Sequence, residues 1–100
     1  MKYNKLVRDK VPEYIISNGG TPITHIATEE EYWQKLKEKL SEEVAEFQED
    51  ESMEEYADIL EVLGAIAEYK KFDDNEVKKI KSHKAEERGI FKHRIILDES

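Results

Sequence analysis

Two pairs of acids, Glu43/Glu46 and Glu55/Asp58, flank a short acidic break at Glu49–Ser52. Within each pair the spacing is three residues, which on an α-helix sets both side chains on one face about a turn apart. If the break is a turn between helices, the two run antiparallel, and residues equally far from it lie at the same height. Glu43 then faces Asp58, and Glu46 faces Glu55. Carboxylates meeting at one level repel unless a hard divalent cation sits among them, and oxygen-only ligation suits magnesium, manganese or calcium. Glu42/Glu46 and Glu54/Asp58, four apart, are equally available in so acidic a chain, so spacing alone leaves a metal site and a chance pattern side by side.

The apolar stripes separate these readings further. At a hundred degrees per residue, Trp33, Leu36, Leu40, Val44 and Phe47 form one arc, with Glu43 along its edge. Ile59, Val62, Leu63, Ile66 and Tyr69 form the second, and Asp58 falls inside or beside it. A carboxylate bordering a core is costly without a partner, so this position demands a metal or a basic residue.

A chain of 100 residues is expected to be one domain, residues 1–100, burying a modest fraction of its surface. Its apolar content of 38% is gathered into periodic stripes, which argues against disorder even with 40% charged residues. An amphipathic chain of this size often completes its core with a second copy, so a homodimer or homotetramer is expected. With no cysteine, neither disulfides nor thiolate metal sites are possible. Met1 to Lys10 is charged and has no apolar signal segment, and no run of about 18 apolar residues occurs, so the expectation is a cytoplasmic protein without a membrane span.

The net charge of −8 is unevenly spread. Acids dominate from Glu29 to Glu61, against Lys35, Lys37 and Lys39, while both ends are basic. An acidic middle repels a polyphosphate backbone, which argues against a nucleic-acid polymer as partner. A small polyphosphate held between a metal-loaded centre and basic ends remains compatible.

In chain order, Tyr3 to Lys10 reads as an irregular or extended arm. Asp9 is a candidate cap for a short helix to about Asn18, with Pro12 in its first turn and Gly19-Gly20 ending it. Thr21 to Ala27 reads as an extended connector or short strand. Thr28-Glu29-Glu30-Glu31 is a capping box that opens a long helix to roughly Glu49. Ser52, three before Glu55, opens another to about Lys71 and gives Glu55 a competing task, returning a hydrogen bond to the Ser52 backbone. A third main helix runs from Asp73-Asp74-Asn75 to Gly89, and the tail offers Ile95-Ile96-Leu97 for packing against the body. The fold class expected is all-α: an antiparallel helical hairpin with flanking short helices, the bundle completed by oligomerisation.

Glu42-Glu43-Val44-Ala45-Glu46 followed by Glu55-Tyr56-Ala57-Asp58 resembles the E-E-x-x-E … E-x-x-D signature of the all-α nucleotide pyrophosphohydrolases, which include MazG-like proteins and phosphoribosyl-ATP pyrophosphohydrolase. Lys5-Leu6-Val7-Arg8-Asp9-Lys10-Val11-Pro12-Glu13 is similar to the opening motif of a small subgroup. Lys84-Ala85-Glu86-Glu87-Arg88-Gly89-Ile90-Phe91 resembles the K-x-x-x-R-G-x-F element after its third main helix. The resemblance implies Mg²⁺-dependent cleavage (Mn²⁺ as an alternative ion) of a nucleotide between its α and β phosphates, giving a monophosphate and pyrophosphate. It implies Glu43, Glu46, Glu55 and Asp58 as metal ligands and Glu42 as the group that supports them or orients the attacking water. Eight residues separate Glu46 from Glu55, fewer than in many MazG-like chains, which shortens the hairpin.

Bound Mg²⁺ can both neutralise charge on the transferring phosphorus and activate water. Lys84 and Arg88, four apart, are candidates for holding the leaving pyrophosphate, and Arg8 and Lys10 are weaker ones from the arm. Solvated surface charge or ion pairs with the acidic helices are the competing roles for all four. His25, His83 and His93 fit no Glu-x-x-His pattern. Trp33 reads as core, Tyr32, Tyr56 and Tyr69 serve packing or a nucleobase pocket equally well, and Gly19-Gly20 is no phosphate loop. A phosphoribosyl-ATP substrate is the nearest alternative, and a non-catalytic helical dimer whose acidic face binds a cation or a basic partner is the rival of another class.

Overall fold

The computed structural model describes residues 4–100. It is all-helical, with α1 (Val11–Ser17), α2 (Glu29–Glu49), α3 (Met53–Lys70) and α4 (Asp74–Arg88) in chain order. Lys2 and Tyr3, at the start of the chain, lie outside the described residues. The chain divides into two compact units, Met1–Tyr69 and Lys70–Ser100.

In the first unit Pro12 sits in the first turn of α1, where its missing amide hydrogen is harmless. The cap is not Asp9: Lys10 occupies that position without a side-chain hydrogen bond. The Val11 N–H donates to the Arg8 carbonyl at 3.0 Å, and Pro12 has no N–H, so little is left for a capping carboxylate to serve. At the exit, the Gly19 and Gly20 amides donate to the Ile16 and Ile15 carbonyls at 3.0 and 2.9 Å. Gly19 turns left-handed, with φ +87°, and a Cβ on Gly20 would stand 2.6 Å from Ile15 Cγ2. Thr21 to Ala27 forms no strand. With no second strand among the described residues to pair with, it stays an extended connector, and Ile23 and Ile26 are exposed.

Both long helices of this unit begin where side-chain caps place them. Thr28 Oγ1 accepts from the Glu31 N–H at 3.2 Å, and Ser52 Oγ from the Glu55 N–H at 3.2 Å. Contacts between α2 and α3 pair residues at similar distances from the break. Close to it, the Phe47 and Tyr56 rings lie 6.5 Å apart. Far from it, Trp33 stacks on Tyr69 at 5.2 Å, Tyr32 meets the same ring edge-on at 5.6 Å, and the Tyr69 hydroxyl donates to the Glu29 carbonyl at 3.5 Å.

The core between these helices is thin. Among apolar residues only Leu36 and Val62 are buried, at 1% and 8% exposure. Trp33, Leu40, Val44, Phe47, Ile59, Ile66 and Tyr69 are half-buried. Leu63, expected on the core face, is 43% exposed, because one neighbouring helix covers only the centre of a broad apolar arc.

In the second unit, Asp73 Oδ1 caps α4 by accepting from the Glu76 N–H at 3.0 Å, and Gly89 ends it at φ +81°. Its polar surface is laced by Lys78–Asp74 and His83–Glu87 pairs at 3.0 and 3.3 Å. Ile95, Ile96 and Leu97, expected to pack, are each about four-fifths exposed. No helix or strand carries this tail, so nothing aligns the three on one face. No helix among the described residues is long and apolar enough to cross a membrane.

Candidate metal centre

Glu43 stands in the middle of α2, and Glu55 and Asp58 stand in the opening turns of α3. One carboxylate oxygen from each lies within 4.8 Å of the others. Glu55 and Asp58, three apart on α3, share one face of that helix, and Glu43 meets them from α2.

Glu43 is 6% exposed, the single buried charged residue among those described. Lys39, one turn earlier, donates to its Oε1 at 3.3 Å. Its Oε2 has no hydrogen-bond partner, and neither does the buried Oε2 of Glu55. Burial is the main reason that both carboxyls hold their protons above the ordinary carboxylate range. For Glu43 the Lys39 ammonium works against this rise, while Glu46 and Asp58 add to it. For Glu55 the neighbouring Glu46, Asp58 and Glu43 all push the same way, Glu46 most strongly.

The competing duty of Glu55 resolves in the backbone. The Ser52 N–H already donates to the Asp50 carbonyl at 2.7 Å, so the Glu55 carboxylate has no amide to return to. Its own N–H is pinned by Ser52 Oγ, and its side chain points its charge at the cluster.

Glu46 remains exposed beside Glu55 and is not one of the three converging oxygens. Glu42 is half-buried and takes Lys5 at 3.3 Å and Lys39 at 3.5 Å. Arg8 reaches the site by bonding Asp58 Oδ1 at 2.9 Å, with Glu61 at 3.8 Å. Lys10 is exposed at the start of α1. Lys84 and Arg88 belong to α4 in the other unit. Sequence reasoning missed Lys39 as the partner of Glu43, although its position four residues earlier was the available signal. It also missed Glu61 and Lys5, whose contacts no spacing rule reports.

The donor set tests the idea of a cation directly. Three carboxylates converge, two buried oxygens lack a proton donor, and every candidate ligand atom is oxygen. An orphaned buried acceptor is destabilising, and like charges compound it. A hard divalent cation such as Mg²⁺ or Mn²⁺ would offset both, and Glu43, Glu55 and Asp58 are the residues that could hold it.

No family model matches the chain, and no solved structure matches it. An uncharacterized protein of Mycolicibacterium smegmatis is 50% identical over 42 residues. The match covers 42% of this chain and 43% of that protein, less than half of either.

Proposed function

We propose that this chain is a cytoplasmic, Mg²⁺-dependent nucleotide pyrophosphohydrolase of the MazG-like kind, with α2 and α3 as an antiparallel hairpin and the bundle completed by a second copy or more. The observation that carries the reading is the convergence of Glu43, Glu55 and Asp58 on a point where two buried oxygens lack partners. The thin core supports assembly, since two buried apolar side chains are few for a stable unit of this size.

When bound, the divalent cation supplies charge neutralisation on the phosphoryl oxygens and lowers the pKa of a ligated water. The chain's residues do the rest. Glu43, Glu55 and Asp58 would hold the ion, and Glu46, next to Glu55, adds to the acidic rim. Glu42, tethered by Lys5 and Lys39, orients water for attack on the α phosphorus. The bond from that phosphorus to the bridging oxygen breaks, releasing a nucleoside monophosphate and pyrophosphate. Nucleoside triphosphates are the proposed substrates, with phosphoribosyl-ATP as the alternative.

Pyrophosphate release from a nucleotide panel, with and without Mg²⁺, tests this. Wild type should be active only with the ion, and Glu43→Gln or Asp58→Asn should each lose activity by about two orders of magnitude. A rival reading draws on the Arg8–Asp58 pair, which shows that a basic group can satisfy part of this face. On that reading the protein is a non-catalytic helical dimer: it binds a cation or basic partner, and no nucleotide in the panel is cleaved.

A further inference from the structure

The arm of residues 4–10, whose Arg8 has no part in the proposed chemistry, carries two basic side chains that reach the acids. It lies on both helices of the acidic seam. Lys5 Nζ reaches Glu42 on α2 at 3.3 Å, and Arg8 reaches Asp58 and Glu61 on α3 at 2.9 and 3.8 Å. Asp58 is also one of the three carboxylates that converge. Arg8 and a divalent cation therefore compete for one residue.

We propose that the arm is an electrostatic latch, in which Arg8 holds Asp58 as the chain's own counter-cation and yields it when a divalent ion enters among Glu43, Glu55 and Asp58. The inference rests on the metal reading of the site. A guanidinium cannot shed its proton, so beside a divalent ion it either moves away or weakens the ion's binding. Moving is easy here, because the Arg8 and Asp58 side chains are 60% and 38% exposed and exposed ion pairs contribute little. Glu61, 66% exposed, offers the displaced guanidinium a second anchor. Arg8 also leaves the deeper oxygens, Oε2 of Glu43 and of Glu55, without partners, so the latch neutralises the rim and not the interior.

The test is Mn²⁺ binding to the full chain, read from the electron paramagnetic resonance of the free ion. Wild type, Arg8→Gln and a charge-matched control, Lys81→Gln on α4, are compared after circular dichroism confirms helicity. Arg8→Gln should bind Mn²⁺ about three- to tenfold more tightly than the other two. Hydrogen exchange of wild type gives a second measure without mutation: at saturating Mn²⁺ the amides of residues 5–10 should exchange faster, while those around Glu43 and Asp58 slow. Equal affinities, or weaker binding by Arg8→Gln, overturn the latch and leave the metal site standing, as does arm exchange unchanged by the ion. If no variant binds Mn²⁺, the metal reading falls and the latch with it.

Discussion

Glu43 shows how one carboxylate sets terms for its neighbourhood. Buried, with one oxygen on Lys39 and the other without a partner, it destabilises the cation-free protein. Glu43→Gln should therefore raise the melting temperature in chelator, by about 1 kcal/mol of stability, and abolish the further rise that Mg²⁺ gives wild type. Thermal melts in the two buffers should cross in rank order. The raised proton affinities of Glu43 and Glu55 fix a second expectation. The native state holds these protons to higher pH than the unfolded chain does, so the contribution of these two groups to stability in chelator is fullest below the ordinary value of about 4.5 and is lost as pH rises through the raised values. Through that window the melting temperature of wild type should fall relative to that of Glu43→Gln as pH rises, and a difference that does not change with pH would contradict the assignment. The pairing of Glu43 with Asp58 was legible because both acids lie beside apolar stripes at equal distances from the break. That Lys39 takes one oxygen and leaves the other bare was not legible, since rotamers decide it and spacing does not.

At the scale of elements, local chemistry carried most of the information. Thr28 and Ser52 each cap the helix expected of them, and Asp73 takes the cap among the candidates at Asp73-Asp74-Asn75, because a short side-chain oxygen before a run of free amides has few better partners. Asp9 failed where the main chain itself satisfied Val11 and Pro12 needed nothing. Ser52 ties a helix start to the site, as its hydroxyl fixes the residue whose carboxylate enters the cluster. Ser52→Ala should cost about 1 kcal/mol in denaturant unfolding and weaken Mn²⁺ binding as well, whereas Thr28→Ala should show the first effect alone. The contacts of Arg8 lie fifty residues away in sequence, and only the folded chain brings them into view.

For the molecule as a whole, surface matters more than sequence length. Met53, Tyr56, Leu60 and Leu63 recur at helical spacing on α3 and are 88%, 55%, 50% and 43% exposed. Such a stripe, on a unit with so small a core, is the face that the proposed assembly would cover. Sedimentation should show wild type larger than a monomer and Leu60→Lys shifted toward it, with reduced thermal stability. Of these four only Leu63 was read from periodicity, and as core; the division between what one chain buries and what it leaves outside was not legible, because the same pattern serves both. With Leu36 and Val62 as the buried apolar residues of the first unit among those described, folding and the proposed self-association would draw on the same apolar surface. Dilution into the nanomolar range should then lower catalytic output per subunit and shorten its lifetime at a given temperature, so that concentration acts on this protein as a denaturant's absence does on others.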